Sequence, residues 1–440
     1  MIRKKALYLF LVGIIFLYVY NPPIYFLPMN AGIIVGMGFL ACYALKFISN
    51  LLVNKNIYID RSFLNIAIAI GVIVCYSLSV AVVSRSFDFQ VFKSYLSFLL
   101  FYIPGAFGIV WIAKRYFKPI DVMKMFIWAT VVQSVIIMMM LIVPSVKDFF
   151  FSLLRDGSAR VEKNLFSGGF RFLGFAFNST WDLSIVQSMA IMYICLLFKL
   201  DKKEINLKNT LFFLLLAMSI FLTGRTGFIG LLLGLIILIV PSSFKEVPLL
   251  KATKFFGKLM AITLPLFFLI IITLPSDVKD VVEKNVMPWA FELFQNETGG
   301  KVETASSNEL QAMYFVPEPS TFLIGDGYYV NPYDTTRYYM DTDAGYMRHI
   351  LFYGIVGCLL MTTIYGMIFL KIYKSSTVLG KSNSLKLFSI LVAFYFFLSH
   401  VKGDLFLGAD MPIKSLFLLM ALLTGIEKID MKHISKTSLE

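Results

Sequence analysis

Charge is scarce in this chain. Asp, Glu, Lys and Arg make up 15% of its 440 residues, against about 25% in soluble domains. That deficit, with 58% hydrophobic residues and a mean hydropathy of +0.77, excludes an ordinary soluble fold. Cysteine is rare too. Cys42, Cys75, Cys195 and Cys358 all lie in apolar runs, so neither a disulfide framework nor a Cys-based metal site is indicated. No small-residue cleavage pattern follows Arg3-Lys4-Lys5, so the first apolar run reads as a retained helix. Internal repeats, low-complexity tracts and a discrete basic domain are missing. Nucleic acid is therefore not an expected partner despite a net charge of +13. In a membrane protein such a balance reads first as anchoring charge on cytoplasmic loops.

What the chain does have is long apolar runs. A hydrocarbon core of about 30 Å takes roughly 20 apolar residues of helix. On that length the sequence predicts spans near 6–26, 31–50, 63–84, 95–113, 122–144, 182–200, 209–223, 226–243, 255–275, 346–371, 384–401 and 411–427. The expected fold is an all-α polytopic membrane protein of about 12 transmembrane helices, one domain over 1–440. With the N-terminus inside, the inside loops collect Arg3, Lys4 and Lys5; Lys46, Lys55 and Arg61; Lys114, Arg115, Lys118 and Lys124; and comparable clusters further on. The bias of Lys and Arg then makes both termini cytoplasmic. Two long segments fall outside, 145–181 and 276–345. Both carry aromatics, and the first is basic (Lys147, Arg155, Arg160, Lys163, Arg171), which suggests amphipathic pieces on the outer leaflet. The second is a lid-sized insertion with helical pieces.

This topology gathers ionisable groups at the outer surface. Arg225 sits in a tight turn between two short spans, and Arg171 precedes the sixth. Asp343, Tyr346, Arg348 and His349 open the tenth span, while His400, Lys402 and Asp404 close the eleventh. Such groups near membrane depth are costly and usually functional. An Arg fork matches a pair of phosphate oxygens and keeps its charge. Arginines beside a carboxylate suit a lipid diphosphate and a hydroxyl acceptor: the cations neutralise the departing diphosphate and the carboxylate takes the proton. Nucleotide-sugar donors are cytoplasmic, so the energy must arrive in a lipid-linked donor. Convergence of Arg171, Arg225 and Arg348 on one outward pocket is expected.

Four short motifs occur along the chain: the segment with Arg171, Gly174 and Asn178; Thr223-Gly224-Arg225-Thr226-Gly227; Leu323-Ile324-Gly325-Asp326-Gly327; and Asp343-Ala344-Gly345-Tyr346 leading to Leu351-Phe352-Tyr353-Gly354-Ile355-Val356-Gly357. On these the chain resembles the bacterial O-antigen polymerase (Wzy) family, within the superfamily that also contains O-antigen ligases. The resemblance implies a glycosyltransferase of the bacterial cytoplasmic (inner) membrane in lipopolysaccharide or related polysaccharide biosynthesis. Its substrate would be undecaprenyl-diphosphate-linked oligosaccharide, with no cofactor and no metal, and a chain-length regulator protein as a plausible partner. Ligases carry a His where this chain has Asp343, which favours polymerase over ligase.

On this reading Arg225, Arg171 and Arg348 hold diphosphate, and Asp343 with Tyr346 orients or deprotonates the acceptor. His349, His400 and Lys402 are secondary candidates. Plainer roles stand beside these. Asp343 suits a helix N-terminus, Tyr346 suits an interfacial belt, and Arg225 suits lipid phosphates. Arg348 suits an ion pair with Asp341, Asp404 or Asp410, and the two histidines suit simple packing. The alternative functions are an O-antigen ligase acting on lipid A core and a transporter of lipid-linked oligosaccharide. Transporters place polar groups at the midplane, often on repeats, and neither feature is visible here.

Overall fold

A computed structural model describes residues 2–52, 61–155, 173–176, 179–240, 305–378 and 382–437, with short pieces at 257, 265, 279–280, 283–284, 297–298 and 301–302. The helices are α1 (Ile2–Tyr20), α2 (Ala31–Leu52), α3 (Arg61–Val83), α4 (Gln90–Ser97), α5 (Ile103–Tyr116), α6 (Pro119–Ile142), α7 (Pro144–Ser152), α8 (Thr180–Leu200), α9 (Leu207–Thr223), α10 (Thr226–Ile239), α11 (Ala305–Ala312), α12 (Pro319–Ile324), α13 (Gly345–Val378), α14 (Ser382–Lys402) and α15 (Asp410–Thr437). A π-helical turn, Phe98–Tyr102, joins α4 to α5. A two-residue antiparallel ladder pairs β1 (Glu297–Thr298) with β2 (Lys301–Val302).

Among the described residues six helical runs are long and apolar enough to cross a membrane: Phe63–Val83, Gln90–Tyr116, Pro119–Ile142, Thr180–Leu200, Gly345–Ser376 and Asn383–Lys402. The protein is an α-helical membrane protein. Helices suit that setting because they satisfy every backbone N–H and C=O internally. The predicted interval 255–275 lies almost wholly outside the described residues, and the others overlie helices. Several ends differ from expectation: the tenth and twelfth predicted spans run on to Val378 and Thr437, and two helices stop early. The first helix stops at Tyr20 rather than near 26, because Asn21 takes φ +50° and Pro22 and Pro23 follow. The eighth predicted span stops at Ile239, just before Pro241.

The chain divides into two compact units. The first comprises Met1–Ala31, Tyr116–Val302 and Gly380–Leu391, the second Gly32–Arg115, Glu303–Leu379 and Val392–Glu440. In the first unit α8 is the axis, buried from Leu183 to Phe198. Along it runs α10, whose glycines permit close approach. A Cβ on Gly234 would meet Cys195 Sγ at 3.3 Å, and one on Gly227 would meet the Ser184 carbonyl oxygen at 3.0 Å. One polar cluster crosses this apolar interior. Gln187 Nε2 donates to Ser219 Oγ (2.6 Å), and Thr223 Oγ1 donates to Gln187 Oε1 (2.8 Å).

In the second unit α13 carries a break at Tyr353 and Gly354, where Gly354 takes φ +66°, ψ −175°. The break frees two carbonyls. The N–H of Asp326 donates to Leu351 O (2.7 Å) and that of Gly327 to Phe352 O (3.0 Å). Gly325 (φ +82°) and Gly354 lie backbone against backbone: a Cβ on Gly354 would overlap Leu323 and Ile324, and one on Gly325 would overlap Phe352. The two glycine motifs are thus halves of one joint. Gly354→Ala is expected to cost about 1–3 kcal/mol for the backbone conformation alone, with the overlap added. Gly366, in the same helix, has nothing within 4 Å of its would-be Cβ and serves as control. In detergent the Gly354→Ala protein should unfold at a clearly lower temperature than Gly366→Ala; equal midpoints would show that the joint is dispensable.

Candidate functional site

The site lies in the second unit, where the first turn of α13 meets the end of α14. Gly345 allows that meeting, because a Cβ there would strike the His400 carbonyl and ring. Arg348 and His349 therefore face the loop that follows Lys402. His349 Nε2–H donates to Asp404 Oδ1 (3.0 Å), and Tyr329 O–H donates to Asp404 Oδ2 (2.5 Å). The Leu407 N–H adds a third bond to Oδ1 at 3.1 Å. On the other side of the ring, His349 Nδ1 meets the Tyr353 hydroxyl, which lies 3.4 Å from that of Tyr95. All these side chains are buried.

Burial alone would raise the Asp404 carboxyl. The His349 charge and hydrogen bond, with His400 and Arg348, outweigh it and hold the group well below the usual carboxylate range. Burial pushes the Tyr329 hydroxyl well up, so it stays a donor.

Arg348 is 5% exposed and its guanidinium carbon lies 3.7 Å from the ring centroids of both Tyr329 and Tyr338. A short hairpin supplies the two rings. Val330 bridges Tyr338, and the Asn331 N–H donates to Arg337 O at 3.1 Å. Stacking between aromatic faces suits guanidinium in a dry place. It leaves the in-plane donors over: Nε and Nη2 are buried without a hydrogen-bond partner. His400 adds another, since its Nδ1 accepts the Leu405 N–H (3.1 Å) and its Nε2 is buried and unpartnered. Buried polar groups are nearly always paired, so orphans of this kind ask for an explanation.

The expected ion pair for Arg348 takes a different form. Its contacts are ring faces, while Asp404 bonds to His349 and Tyr329; Asp341 lies 3.8 Å from Arg337. Asp343 is half-buried beside this cluster. Burial raises its carboxyl, opposed by the nearby charges of Arg348 and Lys402. Tyr346 packs its ring against His400 (4.5 Å) and donates to Phe397 O (3.4 Å), so its hydroxyl is turned to the backbone of α14. Arg225 is half-buried at the start of α10 in the first unit, with no capping bond from its side chain. Arg171 and Asn178 lie outside the described residues.

The sequence reading missed Tyr329, Tyr338, Tyr353 and Tyr95. Nothing separates them from the other tyrosines of a chain that has 22. Asp404 carried a fair signal, four residues past His400 at the end of an apolar run.

His349, His400 and Asp404 each offer one ligand atom, all within 4.8 Å of one another. Two imidazoles and a carboxylate are the donor types of a transition-metal site. Here most of the donors are already engaged: His400 Nδ1 holds the Leu405 N–H, His349 Nε2 bonds Asp404, and both Asp404 oxygens accept hydrogen bonds, which leaves His400 Nε2 over. The set fits a hydrogen-bonded acid–base cluster better than a metal centre.

No protein-family model, curated protein or solved structure matches this chain.

Proposed function

We propose that the protein polymerises undecaprenyl-diphosphate-linked oligosaccharide units into a surface polysaccharide, O-antigen or a relative, at the outer face of a bacterial cytoplasmic membrane. One observation supports this most: the buried Arg348 guanidinium, stacked between two tyrosines with Nε and Nη2 unpaired. Two adjacent N–H donors with a fixed positive charge match a phosphate edge. The His400 Nε2 donor belongs to the same buried cluster. A hydroxyl of the acceptor sugar attacks the anomeric carbon of the donor glycan. The bond from that carbon to the diphosphate oxygen breaks, and undecaprenyl diphosphate leaves. Arg348 neutralises the charge that grows on the leaving oxygen, and Asp343 takes the hydroxyl proton. His349 and Asp404 act through position, fixing the Tyr329 ring on which Arg348 lies.

The unit's own geometry favours the outward side. Lys46 Nζ and Arg115 Cζ lie over the Trp111 ring at 5.3 and 3.7 Å, so the ends of α2 and α5 share one basic, aromatic edge. Asp88, just before Gln90, instead holds the N–H groups of Tyr329 and Val330. The helical run Gln90–Tyr116 separates these two edges by 27 residues, about 40 Å at 1.5 Å per residue. If the basic edge is cytoplasmic, the Arg348 cluster faces outward.

Asp343 supplies the test. A base with a raised pKa is active only above that value, so chain extension should rise with pH through an acid limb. Asp343→Asn should lower the rate by about 10²–10⁴-fold and flatten that limb. An unchanged pH–rate profile in purified, reconstituted protein would remove Asp343 from proton transfer.

A further inference from the structure

The hairpin that holds Arg348 has a second face. Tyr329 and Tyr338 turn to the guanidinium, whereas Tyr328 and Asn331 line a cavity of about 410 Å³. Ser86, Asp88, Gln90 and Thr335 complete its polar wall. The volume falls within the roughly 300–1,000 Å³ of small-molecule sites.

The lining identifies the class of ligand. Two amides, two aliphatic hydroxyls, the Tyr328 phenol and a carboxylate offer donors and acceptors in similar measure. No basic side chain lines the cavity among the described residues, so it is not a second phosphate site. The polar groups are also positioned. Asp88 Oδ2 accepts the N–H groups of Tyr329 (2.8 Å) and Val330 (2.9 Å), and its Oδ1 accepts that of Gln90 (3.0 Å). Asn331 Oδ1 accepts from Tyr333 N (2.9 Å), which leaves its amide protons for a ligand. Gly327 clamps the same two loops, since a Cβ there would overlap Ser84.

From this we infer that the cavity is a glycan subsite, taking a neutral sugar ring of the lipid-linked substrate by its hydroxyls. One wall of the hairpin grips sugar and the opposite wall holds the cation that meets diphosphate. The assignment of the sugar to a lipid-linked glycan rests on the function proposed above; the preference for a neutral sugar does not.

Two variants test the inference. Asn331→Asp keeps the oxygen that holds the turn and loses the amide donors; Gln90→Ala changes an exposed side chain. Purified protein in nanodiscs would be titrated by saturation-transfer NMR with neutral oligosaccharide released by mild acid from the host's own lipid-linked pool. Undecaprenyl diphosphate binding would be measured alongside. Each variant is expected to bind the oligosaccharide about five- to tenfold more weakly, the effect of one lost hydrogen bond, with diphosphate binding unchanged. Equal oligosaccharide binding in wild type and both variants would overturn the subsite, even with Arg348-dependent diphosphate binding intact. Oligosaccharide binding that depends on Asn331 and Gln90, beside diphosphate binding indifferent to Arg348, would support the subsite and sink the polymerase reading instead.

Discussion

Alanine at position 348 should lower chain extension by about 10²–10³-fold, the usual effect of removing a donor aimed at developing negative charge. In cells, the surface glycan should collapse from a ladder to single units. The reason is specific to this arginine. Its faces are occupied by Tyr329 and Tyr338, so those contacts fix where it sits, and its edge is unpaired; on the function proposed here that edge takes the diphosphate. Lysine should restore the charge without the fork and recover only part of the rate. Full recovery by lysine would mean that charge alone matters. A normal ladder in the alanine strain, with the protein present in the membrane, would refute the role altogether.

Asp404→Asn should be the most damaging change to the fold around the site. It leaves the three groups that converge on the carboxylate, Tyr329, His349 and Leu407, without their shared charge. Breaking a buried charged pair by removing one partner costs about 3–5 kcal/mol. The sign of the pH effect follows from the direction of the shift. Asp404 lies below the ordinary carboxylate range in the folded protein, so its contribution is complete above the unfolded pKa of about 3.9. It is lost only as pH falls through the lower, folded value. Thermal unfolding in detergent should therefore show a large drop for Asp404→Asn at neutral pH, shrinking in strong acid. A drop of the same size at every pH would point to packing rather than charge.

The helices were legible in the sequence because run length alone marks an apolar helix, whatever its neighbours. Their ends were legible where proline or a left-handed residue forces them, as at Asn21-Pro22-Pro23. The glycine motifs could be seen as letters, but their meaning could not. Gly325 and Gly354 need each other, and only the fold shows that one fills the gap left by the other. Arg348 and His349 stood out as ionisable groups opening an apolar run. Their partners did not. Tyr329 lies 75 residues from the Asp404 it bonds, and no local pattern marks a tyrosine chosen for its face. The reading also expected an acid for Arg348, since charge pairs with charge by default. In a buried setting two ring faces hold the cation instead, and the acid is given to the histidine.

Direct binding tests the central claim best. Undecaprenyl diphosphate would be titrated into purified protein in nanodiscs, with wild type and Arg348→Ala compared at fixed salt. Saturable binding by wild type, weakened at least tenfold by Arg348→Ala, is the predicted result. Equal affinity in the two proteins would contradict it, because the unpaired edge of Arg348 would then have no diphosphate to hold.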